Sequence, residues 1–162
     1  MVDRYLLLLG SNVDRERSMA RAAQALDKRF EVLARSGVVD GPAVGDPDDP
    51  PFLNRALLVR SALSPAEMRR ALHEIETAIG RVRTTDRNAP RTIDIDVLLA
   101  LDAEGAVLPD PPVHRDLARH HHAAIPAAAV AGDVLLPDGR TLAEAAAALG
   151  PPPGGFRFLD PA

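Results

Sequence analysis

The sequence has no cysteine, no tryptophan, and one lysine, Lys28, among 19 basic residues. Without cysteine there can be no disulfide framework, no thiolate metal site and no thiol nucleophile, which is compatible with a cytoplasmic location. Aromatic residues make up only 3% of the chain, so the core must be built from Leu, Val, Ile and Ala, and any aromatic near a site stands out. There is no excess of positive charge either. The formal net charge is -4 at pH 7, which argues against general nucleic-acid binding, because neutralising phosphates needs a basic face. The apolar run within Met1–Gly10 is far too short to span a membrane. It also lacks a basic lead-in and a small-residue cleavage site, so no signal peptide is expected. No G-x-x-x-x-G-K-[ST] string is present, so any bound nucleotide must be cradled without a P-loop.

What is present suits one soluble domain. The chain has 162 residues, 46% hydrophobic and 26% charged. Tyr5–Leu9 reads as a fully buried strand closed by a turn at Gly10-Ser11-Asn12. From Arg15 to Phe30, Met19, Ala22, Ala23, Leu26 and Phe30 recur at helical spacing. Phe30–Val39 alternates as a second strand, and Asp40–Pro51, dense in Gly, Pro and Asp, predicts a long loop of the kind that is often functional. Phe52–Val59 is a third strand. Ser64-Pro65-Ala66-Glu67 opens a second helix with a capping box, Met68, Ala71, Leu72, Ile75 and Ile79 form its apolar stripe, and Gly80 closes it. After an arginine-rich connection, Thr92–Leu99 is a β-branched fourth strand. The order β-α-β-β-α-β predicts an α+β, ferredoxin-like sandwich, followed by short helices near Arg115–Arg119, Ala123–Ala131 and Thr141–Leu149. Residues 1–150 are read as one domain and 151–162 as a Pro/Gly-rich, extended tail.

The stretch Arg91-Thr92-Ile93-Asp94-Ile95-Asp96-Val97 carries the most chemistry. On a strand Asp94 and Asp96 face the same way, with Cα atoms roughly 6.5–7 Å apart. Carboxylates that close repel unless positive charge lies between them or one is protonated. Divalent cations shared with phosphate oxygens would resolve the repulsion; so would simple solvation on an acidic strand face. Arg81, Arg83, Arg87 and Arg91 crowd the approach to this strand, and a guanidinium matches phosphate oxygens two at a time. Acidic residues for metal beside arginines for oxygen are complementary halves of a phosphoryl-transfer site, although the same residues could form a surface ion-pair mesh.

Leu9-Gly10-Ser11-Asn12, Phe52-Leu53-Asn54, Glu76 with Gly80-Arg81-Val82-Arg83, and Pro90-Arg91-Thr92-Ile93-Asp94-Ile95-Asp96 follow one another in order. Together they resemble the successive signatures of the hydroxymethyldihydropterin pyrophosphokinases over Tyr5 to about Leu101, thinning towards Gly139. The resemblance implies a ferredoxin-like fold and transfer of the diphosphate of ATP to a pterin alcohol in folate biosynthesis, with AMP as by-product. It further implies two Mg²⁺ ions held by Asp94 and Asp96, with Arg81 and Arg91 completing the catalytic set. Glu76, Arg83, Arg87, Arg91 and His114 would serve ATP. Phe52 would stack on the pterin and Asn54 would bind its amide edge, with Val44 and His122 also in the pterin site. A flat heterocycle with adjacent donors and acceptors does need a stacking face and a side-chain amide. The chain departs from the family where Asn88-Ala89 replaces an aromatic. It departs again where His120 and His122 stand in place of an arginine and a phenylalanine, although Arg119 lies next to His120. Consecutive histidines do not readily converge on one ion, so His120-His121-His122 is not expected to be a metal site.

The expected partners are small molecules, with no nucleic acid and no membrane, and the chain is expected to act as a monomer. Two other classes remain in view. One is a regulatory domain that binds pterin or nucleotide without catalysis; the other is an RNA-binding module, which would need sheet aromatics and a basic face.

Overall fold

The computed structural model describes residues 1–43, 48–80 and 93–159. In chain order the elements are β1 (Arg4–Ser11), α1 (Arg15–Arg29), β2 (Glu31–Arg35), β3 (Val39–Gly41), β4 (Phe52–Arg60), α2 (Pro65–Ile79) and β5 (Asp94–Leu101). A 3-10 helix (Arg115–Ala118), α3 (His121–Ala131), α4 (Leu142–Ala148) and β6 (Arg157–Phe158) follow. The strands pair antiparallel in the order β5-β1-β4-β3-β6, with β2 also on β4. This is the expected ferredoxin-like arrangement, its second strand split into β2 and β3.

Both faces of the sheet are covered, which explains why Leu6–Leu9 of β1 is apolar throughout. Leu7 and Leu9 face α1 and α2 through Met19, Leu26, Met68, Leu72 and Ile75. Leu6 and Leu8 face α3 and α4 through Ala123, Ala127, Leu142 and Ala145. The small alanines let α3 approach closely despite Pro126 inside it. Tyr5, the single tyrosine, is fully buried in the first layer. Its hydroxyl donates to the Leu63 carbonyl at 2.6 Å, and burial pushes its pKa up to about 12. Helix α2 begins as its sequence predicts: Ser64 and Glu67 form a reciprocal capping box, and Gly80 adopts φ 108.

Four boundaries differ from the sequence-based expectation. The second strand breaks after Arg35, where the Ser36 hydroxyl accepts a hydrogen bond from the Ala56 amide at 3.0 Å, and pairing resumes at Val39. Asp40 and Gly41 therefore belong to β3, not to the loop. Strand β1 continues through Gly10 and Ser11 rather than turning there. The C-terminal segment adds β6 to the sheet edge. No helix among the described residues is long and apolar enough to cross a membrane.

Candidate active site

The pairing of three neighbouring strands builds the site. Gly10 on β1 lies opposite Asn54 on β4 and Asp94 on β5, and one row further Leu8 lies between Ala56 and Asp96. Directly opposed residues in antiparallel strands share a face. Asn54, Asp94 and Asp96 thus project from the face that α3 and α4 cover further along, with Phe52 two residues beyond Asn54. Ile95 packs into the opposite layer. Gly10 is required by a close approach: a Cβ there would lie 2.7 Å from Asn54 Nδ2. Asn54 is 5% exposed, and its Nδ2 donates to the Leu9 carbonyl at 3.2 Å, which fixes the orientation of the amide.

Asp94 and Asp96 are half-buried, and β5 is the edge strand on this side of the sheet. Strand β5 is tied to α2 from below. Glu76, only 2% exposed, accepts a hydrogen bond at Oε2 from the Ile95 amide at 2.8 Å, so the peptide between the two aspartates is anchored. Among the described residues no group of three or more His, Cys, Asp or Glu could hold a metal. Two carboxylates on one strand still suit Mg²⁺, a hard cation that keeps several waters and binds through one or two carboxylates plus substrate phosphates. Among the described residues the donor set is of the kind that ion takes.

A cavity of about 270 Å³ opens beside the outer edge of β5, between α2 and the segment leading to the 3-10 helix. Leu72, Ile95, Val97, Pro111 and Pro112 give it apolar walls, while Arg69, His73, Asp96 and His114 supply polar groups. His114 caps the 3-10 helix: its Nδ1 accepts from the Asp116 amide at 3.2 Å. A neutral ring that accepts at Nδ1 carries its proton on Nε2, leaving that atom to donate. The Asp116 carboxylate is 3.8 Å from the same Nδ1, too far for a second hydrogen bond.

Three imidazoles surround Asp116. Its oxygens lie 3.9 Å from His120 Nε2 and 3.7 Å from His122 Nε2, in addition to His114, and the rings of His120 and His122 stack with centroids 5.3 Å apart. The interaction with His122 holds the Asp116 carboxyl below its ordinary range. Burial lowers the pKa of His120 and outweighs the opposing pull of Asp116.

The family model for 7,8-dihydro-6-hydroxymethylpterin-pyrophosphokinase (HPPK) matches residues 6–131. The chain belongs to the HPPK family. It is similar to the 2-amino-4-hydroxy-6-hydroxymethyldihydropteridine pyrophosphokinase of Methylorubrum extorquens, at 37% identity over 91% of this chain and 94% of that protein. It is also similar to the protein of the same name from Pseudomonas aeruginosa, at 35% identity over 91% and 93%. In structure it matches a crystal structure of Plasmodium falciparum HPPK-DHPS wild type with pteroate, with a TM-score of 0.66 at 11% identity. That match covers 90% of this chain and 42% of the longer one, and it speaks for the fold alone.

Within the HPPK segment the fold brings Phe52, Asn54, Asp94 and Asp96 onto one end of one sheet face, and sets His114 on the cavity that Asp96 also lines. His122 lies in the Asp116 cluster. Glu76 lies beneath β5, bonded to its backbone. Val44, Arg81, Arg83, Arg87 and Arg91 lie outside the described residues, as does Asn88-Ala89. Sequence reasoning missed the parts that only packing reveals. Leu72 reads as plain core stripe and Pro111-Pro112 as plain loop, yet both wall the cavity. Gly10 reads as a turn residue because the amide that needs its missing side chain is on another strand. Asp116 carried one usable signal, its position two residues after His114.

Proposed function

We propose that this chain transfers the diphosphate of ATP to the hydroxymethyl group of 6-hydroxymethyl-7,8-dihydropterin, releasing AMP, with Mg²⁺ held by Asp94 and Asp96. The observation that carries this reading is the placement of both carboxylates on one face of an edge strand. One side of that strand borders the cavity of about 270 Å³ and the other aligns with the buried amide of Asn54. Membership of the HPPK family supports the same substrates.

In this reaction the alcohol oxygen forms a bond to the β-phosphorus, the bond from that phosphorus to the α–β bridging oxygen breaks, and AMP leaves with the bridging oxygen. The hydroxyl proton passes to a carboxylate or to water. Bound Mg²⁺ offsets the charge of the triphosphate and of the departing AMP. The protein's part is positioning. Phe52 offers a ring for stacking, and Asn54, fixed by the Leu9 carbonyl, presents its amide edge to the pterin. The apolar walls along β5 take the adenine, and His114 donates from Nε2 to a phosphate oxygen. The same reading gives phosphate contacts to Arg81, Arg83, Arg87 and Arg91, and keeps Val44 and His122 with the pterin and Glu76 with the nucleotide.

The test is AMP release from ATP, Mg²⁺ and the hydroxymethyl dihydropterin. Wild type should turn over, and Asp94→Ala and Asp96→Ala should each lose about two orders of magnitude or more, the scale of losing one electrostatic contact to the transition state. Near-normal turnover in either variant removes the metal assignment. Tight pterin binding without AMP release would instead favour a regulatory, ligand-binding domain.

A further inference from the structure

The C-terminal segment does more than cover an edge. Strand β6 pairs with β3 so that Phe158 lies opposite Val39 and Arg157 opposite Asp40, and the Leu159 amide donates to the Val38 carbonyl at 2.8 Å. Continuing that register by one pair sets Phe156 opposite Gly41. Gly41 in turn lies opposite Phe52, and Val39 opposite Asn54. Two rows therefore run across the sheet end: Asn54, Val39, Phe158 and Phe52, Gly41, Phe156.

The rows differ in their middle residue. In the first, the buried Val39 fills the space between Asn54 and Phe158. In the second, glycine leaves that space to Phe156, whose Cδ2 comes within 2.8 Å of where a Gly41 Cβ would be. Side chains directly opposite each other are about 5 Å apart. The half-buried ring of Phe156 thus leans over Gly41 towards Phe52, on the face that carries Asn54, Asp94 and Asp96. The ring centroids of Phe156 and His121 are 6.2 Å apart with their planes at 61°, and His121 Nε2 lies 3.1 Å from the Gly150 carbonyl. Phe156 is in this way wedged between the Phe52 row and the start of α3, where His122 follows. In a chain with 4 phenylalanines, two of them flank one glycine at the candidate pterin site.

We propose that Phe156 is a substrate-binding residue, its ring forming the outer wall of the pterin site beside Phe52. The inference rests on the reading that Phe52 and Asn54 receive the pterin, and it adds a contact from the C-terminal segment, beyond the residues that the family model matches. Gly41 is the complementary requirement, since any side chain there would push the ring off its place.

The test is equilibrium titration of 6-hydroxymethyl-7,8-dihydropterin, by its fluorescence, into the full chain with Mg²⁺ and a non-hydrolysable ATP analogue. Phe156→Ala should weaken binding about fivefold, the lower end of what a ring stacked on an aromatic base contributes. Phe156→Tyr should bind as wild type does. Phe158→Ala, which removes the neighbouring aromatic of the same strand, should stay within about twofold, since Val39 separates it from the site. Gly41→Ala, which leaves the C-terminal sequence intact, should weaken binding as Phe156→Ala does. The double variant should be no weaker than Phe156→Ala alone, because the added methyl then has nothing to displace. Unchanged affinity in both Phe156→Ala and Gly41→Ala overturns the proposal. So does equal weakening in Phe156→Ala and Phe158→Ala, which would make the strand a mere support. Absence of pterin binding in wild type would overturn the functional reading as well, whereas normal AMP release with an indifferent Phe156 would overturn this inference alone.

Discussion

Replacing Glu76 by Leu should destabilise the protein and loosen the strand that carries Asp94 and Asp96. The glutamate is 2% exposed and accepts from the Ile95 amide at 2.8 Å. Leucine fills much of the same volume but offers no acceptor, so the Ile95 N–H is left buried without this partner. A buried donor left unsatisfied costs about 1–3 kcal/mol. Removing a buried carboxylate also removes its desolvation cost, which offsets part of that loss, so about 1–2 kcal/mol is the expected net. For a domain of this size each kcal/mol lowers the midpoint by about 2–4 °C, giving a drop of about 2–8 °C. Glu76→Gln keeps an acceptor oxygen and should lose less. Thermal melting measures the first effect, and hydrogen exchange at the Ile95 amide measures the cause, since that amide should exchange faster in Glu76→Leu only. A Leu variant that melts within about a degree of wild type, with Ile95 exchange unchanged, would refute the claim that Glu76 anchors β5.

Gly10→Ala should displace the Asn54 amide, because the new methyl would lie 2.7 Å from Nδ2. Overpacking costs about 1–3 kcal/mol, and pterin affinity should fall along with the melting midpoint. Thermal melting and the pterin titration check the two halves separately. Acidification should weaken the fold through the Asp116 cluster. The His120 pKa is held below 6.5 in the folded chain, chiefly by burial, so the unfolded chain binds the proton first and stability falls as the pH drops below 6.5. The Asp116 carboxyl is held below 3.8, chiefly by His122, so its contribution is present above that pH and lost as the pH falls through the folded value. Both act in the same direction. Melting midpoints followed from about pH 8 to about pH 5 should decline in wild type and decline less in His120→Gln.

Much of the fold was legible because its signals are local. The capping box at Ser64 and Glu67, the stripe from Met68 to Ile79 and the β-branched residues within Thr92–Leu99 each specify an element without reference to the rest of the chain. The paired aspartates were legible for the same reason, since alternation along one strand decides their common face. What escaped depends on contacts between distant segments. The break between β2 and β3 follows from Ser36 bonding to Ala56, twenty residues away. The strand at Arg157–Phe158 exists because β3 offers an open edge, and nothing in Pro151–Ala162 announces that. The bond from the Ile95 amide to Glu76 could not be read from the position of Glu76 on α2. The cavity along β5 draws its walls from α2, β5 and the Pro111-Pro112 segment, so no single stretch displays it.

The most direct measurement is calorimetric titration of a non-hydrolysable ATP analogue into wild type, Asp94→Ala and Asp96→Ala, each with and without magnesium. Wild type should bind far more tightly when the metal is present, and both variants should lose that enhancement while melting close to wild type. Equal affinity with and without metal, or enhancement that survives the loss of either aspartate, would contradict the account.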